Sequence, residues 1–558
     1  MMKQNFVVLV ASLGAASLCL GHSKMSPELE GQDPESQVQV IVQYRQPPQD
    51  SQIDAVVRKG GRHRGMLNVV NAAVFSVQAK ALAELANDPA VKYISVDHAL
   101  KASSLTPDYK LQAVNADIAQ QNGFNGAGVG VAILDSGITN RPDLGSNNRN
   151  QFSADSEYGG NSGSRVVHAE NIMNSGGSTD DTYGHGTHVA GIVGGNGSQS
   201  WGVYAGVAPS ANLVNLVVLD NTGSSTDSIV IAGIQRAIQL KQQYNIRVIN
   251  LSLGRPIFES YTVDPLCQAV EAAWNAGIVV VVAAGNDGRD NSESTDGYAT
   301  ITAPGNDPYA ITVGAMKTEN TATRSDDLIA SYSSKGPTLL DQVVKPDLVA
   351  PGNLIVSVLG DGTLPRVYPR NITDQNYFIL SGTSMATAMV SGAAALLLQQ
   401  TPSLSPDQVK ARLMKTAWKN FPVSSNAIDP ATGIGYTSYY DIFTVGAGYL
   451  DVWAALNSDD LANGSAASPI ASYNRLTGAV TLSGVRGQNL IWGTNLIWGT
   501  NVIWGTSVVS GNSVIWGTSV IWGTSAPSSL SVIWGTSVIW GTSVPNGEAT
   551  TAAIYGEQ

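Results

Sequence analysis

The sequence predicts an α/β protein built on a mostly parallel sheet with helices on both faces. Short, nearly continuous apolar strands, amphipathic helices alternating with them, and reactive side chains where strands give way to helices all point there. The strands are Val129–Leu134, Leu213–Leu219, Val248–Leu251, Ile278–Ala284 and Ala310–Gly314. Strands apolar throughout are buried on both faces, and in such sheets helices do the covering. After Asp227, residues Val230, Ile234, Ala237 and Ile238 share one helical face. After Pro265, Leu266, Val270, Ala273 and Trp274 do the same. Ser405-Pro406-Asp407-Gln408 reads as a helix start, with a serine cap, a first-turn proline and a capping-box glutamine. Chemistry in such a fold is sought beyond the carboxyl ends of the strands.

Two regions of different character flank this pattern. Strand-like Val38–Tyr44, a helix near Gln52–Arg58, strand-like Val69–Val77, a helix over Lys80–Asn87 and a strand Val91–Val96 precede it. That β-α-β-α-β order fits a small ferredoxin-like α+β domain of the split-βαβ kind. After the main domain, a low-charge stretch leads into a repetitive, β-prone tail in which Ile-Trp-Gly-Thr recurs at a six-residue period. An even period shows the same faces in every extended copy, with Val or Leu, Trp and Thr on one and Ser or Asn, Ile and Gly on the other. The chain therefore divides into a leader over 1–21, a small domain over 22–103, the main domain over 104–458, a linker over 459–488 and a repeat region over 489–544.

At 558 residues the chain is too long for one core. Its net charge of −12 excludes nucleic acid and anionic membrane surfaces as natural partners. Lys3 followed by the apolar run Phe6–Leu20 reads as a secretory signal rather than a membrane span, so the protein is expected to be secreted. Once the leader is removed Cys267 is the only cysteine, on an apolar helix face, and is expected to be a buried, inert thiol.

Within the main domain a histidine base must be His168, His185 or His188. His185 and His188 open a small-residue helix, whereas His168 falls in a Gly-, Ser- and Asn-rich stretch, 140–182, read as a surface loop. Asp135 ends a strand, and Ser384 follows the strand Tyr377–Leu380 at the mouth of a helix reaching Gln399. A serine hydroxyl needs a base to take its proton and an acid to hold that base in one tautomer. Asp135, His185 and Ser384 supply those three types, each at a strand-to-helix junction, and a helix N-terminus also favours a developing oxyanion.

Asp135-Ser136-Gly137-Ile138, His185-Gly186-Thr187-His188-Val189-Ala190-Gly191 and Gly382-Thr383-Ser384-Met385-Ala386 resemble the three motifs of the subtilisin-like serine proteases. Gly206-Val207-Ala208-Pro209, Ser252-Leu253-Gly254, Ala283-Ala284-Gly285-Asn286 and Pro346–Gly352 extend the resemblance. It implies a serine endopeptidase acting on protein and peptide substrates, with His185 as base, Asp135 as its orienting acid and Ser384 as nucleophile. It further implies Asn286 as oxyanion donor and Ser252, Leu253 and Gly254 as a strand pairing with substrate, with Gly223 on the opposite edge. Ala283 and Gly285 would wall the primary specificity pocket together with Thr302–Gly305, favouring a medium or large apolar side chain. The small N-terminal domain resembles the family's inhibitory propeptide, so the chain reads as a self-processing zymogen. Ala388 stands where the family usually has proline.

The resemblance requires no cofactor for catalysis. Asp143 matches a calcium ligand position of many relatives, while the loop Asn196–Tyr204 departs from their sequence, so a structural calcium stays open. The tail suits self-association or binding to a surface. The competing reading is a non-catalytic secreted binding protein on a protease scaffold.

Overall fold

The computed structural model describes residues 24–26, 29, 34–97, 108–145, 164–292, 295–429, 432–462, 464–474, 479–483 and 557. The leader, the expected junction at 102–104 and the repeat region lie outside the described residues. The chain forms two compact units, Met1–Ser104 and Leu105–Gln558.

The first unit runs β1 (Gln37–Tyr44), α1 (Asp50–Arg58), β2 (Arg62–Leu67), β3 (Ala72–Gln78), α2 (Leu82–Asn87) and β4 (Val91–Val96). Its four-stranded sheet has the order β2-β3-β1-β4 and every pairing is antiparallel. Val40, Val42, Phe75, Val77 and Ile94 fill its core against Leu82 and Leu85 of α2. β2 is the element absent from the sequence reading. Its residues Arg62-His63-Arg64-Gly65 carry charge because it is an edge strand, paired on one side and wet on the other. The expected strand start at Val69 is instead a 3-10 turn over Asn68–Val70, after which Asn71 at φ 50° reverses the chain into β3.

The second unit begins with two short helices, α3 (Lys110–Ala113) and α4 (Ala116–Gln121), then β5 (Gly130–Asp135), β6 (Val166–Asn171), α5 (His185–Gly194) and β7 (Asn212–Val217). It continues through α6 (Asp227–Tyr244), β8 (Ile246–Leu251), α7 (Pro265–Asn275), β9 (Val279–Ala283), β10 (Ile311–Lys317), β11 (Leu328–Ile329) and β12 (Leu348–Pro351). Next come β13 (Ile355–Val358), α8 (Thr363–Val367), β14 (Ile372–Thr373), β15 (Tyr377–Leu380), α9 (Thr383–Gln400) and α10 (Pro406–Thr416). The hairpin β16 (Ser424–Ile428) and β17 (Gly435–Tyr439), the helix α11 (Val452–Leu456) and the hairpin β18 (Ile470–Asn474) and β19 (Ala479–Ser483) complete it.

The central sheet has the order β11-β10-β9-β8-β5-β7-β6, with β12 also on β10. All its pairings are parallel except β10 with β11. Helices cover both faces. A side chain on Gly186 of α5 would meet Asp135, and one on Gly233 of α6 would meet Leu134, two neighbours that point to opposite sides of β5. α9 packs with α5, and α7 with α6. The five sequence-predicted strands fall on β5, β7, β8, β9 and β10, and Ser405 caps α10 with the reciprocal Gln408 bond.

Two segments differ from the expectations. The stretch 140–182 contributes the edge strand β6, and His168 on it is partly buried rather than solvated, bonded to Glu170 Oε2 at 3.1 Å and to the Tyr244 hydroxyl at 3.2 Å. Its alternating polar pattern hid a strand that is wet on one face. Within 459–488, expected as a linker, Ala466, Ser468 and Ala471 are buried, Val344 N–H donates to Pro469 O, and β18 bridges Val343. Small uncharged residues suit a packed edge as well as a loose join. Cys267 matches its expectation: it is fully buried, its thiol lies 3.3 Å from Asn306 Oδ1, and burial pushes its pKa far up.

Candidate active site

Asp135 is the last residue of β5, His185 the first of α5, and Ser384 the second of α9, so α/β topology delivers all three to the carboxyl edge of the sheet. His185 Nδ1 lies 2.8 Å from Asp135 Oδ1. The same carboxylate oxygen accepts from the Ser136 N–H at 2.8 Å and the Ser136 hydroxyl at 3.2 Å, which fixes its direction. Burial disfavours a charged imidazole, but the carboxylates of Asp135 and Asp181 outweigh it and hold the His185 pKa above the ordinary 6.5. An acceptor at Nδ1 puts that nitrogen's proton toward Asp135 and leaves Nε2 with a lone pair.

His188 is a different kind of histidine. Its Nε2 donates to the carbonyls of Ile355 and Phe378 at 3.1 and 3.0 Å, and it is fully buried. Burial and the neighbouring charge of His185 push its pKa down to about 3. It is a neutral clamp between α5 and the strands β13 and β15, and it cannot double as the base.

The Ser384 hydroxyl donates to the Ser252 carbonyl at 3.2 Å, while the Ser252 hydroxyl donates to the Ser384 carbonyl at 2.9 Å. Asn250 Nδ2 supports Ser252, and Ser391 two turns up α9 supports Asn250, so the neighbourhood of Ser384 is tied into β8. Asn286 Oδ1 accepts from the Thr383 N–H at 2.9 Å and the Thr383 hydroxyl at 3.1 Å. With the oxygen end so engaged, the amide's NH₂ end is turned away from Thr383. A cleft of about 740 Å³ is bordered by Tyr183, His185, Gly223, Leu253, Asn286 and Ser384.

Ser252 and Gly254 also border that cleft, whereas Ala283 and Gly285 are not among the residues that line it. Gly223 has φ +77°, and a Cβ there would strike the Tyr183 ring at 2.6 Å. Cβ atoms on Gly254 and Gly285 would come within 2.5 and 2.7 Å of Thr302 Oγ1 and Ser334 Oγ. Only glycine keeps those walls apart. Arg255 and Ala303 exchange backbone hydrogen bonds at 2.9 and 2.8 Å, which sets Thr302 and Ala303 beside the Ser252–Gly254 strand. Ala388 is buried within an unbroken α9.

Sequence reasoning missed Asp181. Buried at the head of α5, it accepts from the Ser136 hydroxyl at 2.8 Å and from the N–H groups of Tyr183, Gly184 and Thr187 at 3.1, 2.6 and 2.8 Å. It binds the loop that carries His185 to the loop after Asp135, so it positions both. The available signal was an acidic residue just ahead of a helix start.

The Asp143 turn does not fit a calcium ion. Asp143 Oδ1 accepts from the Ser198 hydroxyl at 2.8 Å and the Gln199 N–H at 2.9 Å, and Oδ2 accepts from the Tyr377 hydroxyl at 2.5 Å. The carbonyls of Asp143 and Gly145 accept from Arg165 at 2.7 and 2.8 Å. Donors thus stand where a cation needs oxygens. Burial lowers the Arg165 pKa only to about 10, so a permanent positive charge sits there. Asp143→Ala should therefore cost about 2–3 kcal/mol by stranding buried donors. Melting curves should show the same loss with and without a chelator; a loss confined to chelator-free buffer would contradict this.

Residues 126–448 match the profile of the Subtilase family. The chain is 36% identical to the serine protease AprX of Bacillus subtilis over 373 residues, 65% of this chain and 78% of that protein. It is 36% identical to subtilisin E of Bacillus subtilis over 403 residues, 72% of this chain and 85% of that protein. A crystal structure of a cold adapted subtilisin-like serine proteinase aligns at TM-score 0.39 and 28% identity, covering 59% of this chain and 90% of that one. Parallel sheet, motif order and sequence agree: the chain belongs to the subtilase family of serine endopeptidases.

Proposed function

We propose that this chain is the self-processing precursor of a secreted endopeptidase of broad specificity, with Asp135, His185 and Ser384 as its catalytic triad. The observation that carries the proposal is the 2.8 Å pairing of His185 Nδ1 with Asp135 at a cleft bordered also by Ser384 and Asn286. In the first step the Ser384 hydroxyl turns from the Ser252 carbonyl to His185 Nε2, gives up its proton there and attacks the scissile carbonyl. The oxyanion is held by Asn286 Nδ2 and the Ser384 N–H at the head of α9. His185 then protonates the departing amine, and water, deprotonated by the same nitrogen, releases the acyl group from Ser384. Ser252–Gly254 and Gly223 border the cleft from two sides, which suits recognition of substrate backbone. Main-chain groups are common to all proteins, so specificity is broad, with an apolar preference in the pocket walled by Ala283, Gly285 and Thr302–Gly305.

The N-terminal unit acts in this reading as the inhibitory propeptide, removed by a cut near 102–104 after export by the leader. No helix among the described residues is long and apolar enough to cross a membrane. The repeat region serves as an appendage that self-associates or holds a surface. Expressed Ser384→Ala protein should accumulate as the unprocessed precursor. Intact mass of the purified variant checks this, and efficient processing without the Ser384 hydroxyl would refute self-cleavage.

A further inference from the structure

The catalytic steps leave one ion pair on the cleft without a role. Among the described residues bordering it, Asp227 is the only carboxylate and Arg255 the only guanidinium or ammonium. Arg255 Nε donates to Asp227 Oδ1 and Oδ2 at 2.9 and 3.0 Å, and its Nη2 donates to the two oxygens of Asp264 at 3.0 and 2.9 Å. Its Nη1 donates to the Pro256 carbonyl at 3.1 Å, and the centre of the Phe258 ring lies 5.6 Å from the guanidinium carbon. Asp264 is fixed in turn, capping α7 at the Leu266 N–H. Two carboxylates against one guanidinium leave a negative charge over. It falls on the side open to solvent, since the Asp227 side chain is 42% exposed, Arg255 21% and Asp264 fully buried.

The position of the pair decides which part of a substrate it meets. Ser252 exchanges hydrogen bonds with Ser384. Arg255 stands three residues further along the same edge, roughly 10 Å at the rise of an extended chain. Asp227 follows the opposite edge, four residues after Gly223, so the ion pair bridges the two edges away from Ser384. Arg255 also exchanges backbone hydrogen bonds with Ala303, in the wall assigned to the pocket for the side chain before the scissile bond. The Ser252–Arg255 edge therefore faces the acyl half of a substrate. An extended chain paired along it brings the fourth residue before the scissile bond beside the ion pair.

We propose that Asp227 is a specificity-determining residue that selects a basic side chain, lysine or arginine, at the fourth position before the scissile bond. This rests on the endopeptidase reading and adds a charge preference to a cleft that otherwise reads backbone. Arg255 holds the carboxylate from one side, and both of its oxygens keep lone pairs for a second cation. Asp227 also opens α6, where the helix dipole favours a negative charge. A basic side chain arriving there neutralises the excess, while a glutamate brings a third carboxylate to a single guanidinium. Because Asp227 is partly exposed, the preference is modest and sensitive to salt.

The test is a peptide series cleaved by the processed enzyme, identical but for Arg, Gln or Glu at the fourth position before the scissile bond, with the cut located by product mass. At low ionic strength kcat/KM should be about tenfold higher for the Arg peptide than for the Glu peptide, with Gln between them. Raising salt to about 0.5 M should narrow that gap to about threefold or less. Asp227→Asn, which keeps the shape of the side chain, should bring the ratio to within about twofold. Equal cleavage of the three peptides by the unaltered enzyme, or an Arg preference that survives Asp227→Asn, overturns the assignment. A loss in Asp227→Asn that is the same for all three peptides overturns it in favour of a latch between the two edges. Failure to cleave any of them overturns the endopeptidase reading as well.

Discussion

Asp135→Asn should lower kcat by about 10⁴-fold while KM stays within about threefold of its starting value. The expected loss follows from one proton. His185 Nδ1 faces Asp135 Oδ1 at 2.8 Å, and a carboxylate can only accept there. Asparagine is nearly isosteric, but with its NH₂ end in the place of the oxygen that faces the ring it donates to Nδ1, at the cost of the two Ser136 bonds that oxygen accepts. The ring then takes its proton at Nε2, where the base lone pair is needed. The Ser252–Gly254 edge of the cleft is untouched, hence the stable KM. The pH profile gives a second readout. His185 is a base only when neutral, and its pKa stands above 6.5, so kcat falls as pH drops through that raised value. Removing the Asp135 charge leaves burial less opposed, and the acid limb should move to lower pH. Steady-state kinetics on a peptide substrate across that limb measures both effects; an unshifted limb with near-normal kcat would contradict them.

Asp347→Ala should destabilise the second unit by about 3–5 kcal/mol, a large share of the roughly 5–15 kcal/mol that holds a domain. Asp347 is fully buried between Lys345 at 2.7 Å and Lys410 at 3.0 Å. Its oxygens also accept from the Thr312 N–H at 2.8 Å and the Ser468 hydroxyl at 2.6 Å. Deleting the carboxylate strands two buried ammonium groups and a backbone donor on β10, the strand that β12 pairs. Burial alone would raise the Asp347 pKa, but Lys345 and Lys410 hold it below the ordinary 3.8. Its contribution is therefore complete above the ordinary carboxylate pKa and is lost as pH falls through the lower folded value. Denaturant melts of the Ser384→Ala chain with and without Asp347→Ala should differ near neutrality and converge in acid. Equal midpoints at neutral pH would refute the assignment.

What was legible in the sequence shares a physical character. Asp135, His185 and Ser384 stand beside short-range signals: a strand end, a glycine before a helix, a small-residue helix start. The five buried strands were legible because burial on both faces makes them apolar throughout. The edge strands β2 and β6 were not, since polar residues interrupt their apolar pattern: β2 exposes Arg62 and Arg64, and β6 carries His168 and Glu170 between apolar residues. Asp181 was missed because the bond that ties the two loops together, from the Ser136 hydroxyl, spans 45 residues, while its other three are to nearby backbone N–H groups. Asp143 resembles a calcium ligand position in sequence, and only coordinates show Arg165 donating to the Asp143 and Gly145 carbonyls. Ser468 and Glu557 act on partners more than 100 residues away, at Asp347 and Asn353, and no periodicity or motif encodes such a pairing. The sheet was written locally; the supports of the site were written across the chain.

The most direct measurement is labelling with a serine-directed phosphonyl or sulfonyl fluoride, followed by intact mass and peptide mapping of the processed enzyme. One adduct per molecule, located on Ser384, absent from His185→Ala and formed in parallel with loss of activity, is the predicted result. Activity that survives full modification of Ser384, or stoichiometric labelling at another residue, would contradict Ser384 as the nucleophile activated by His185.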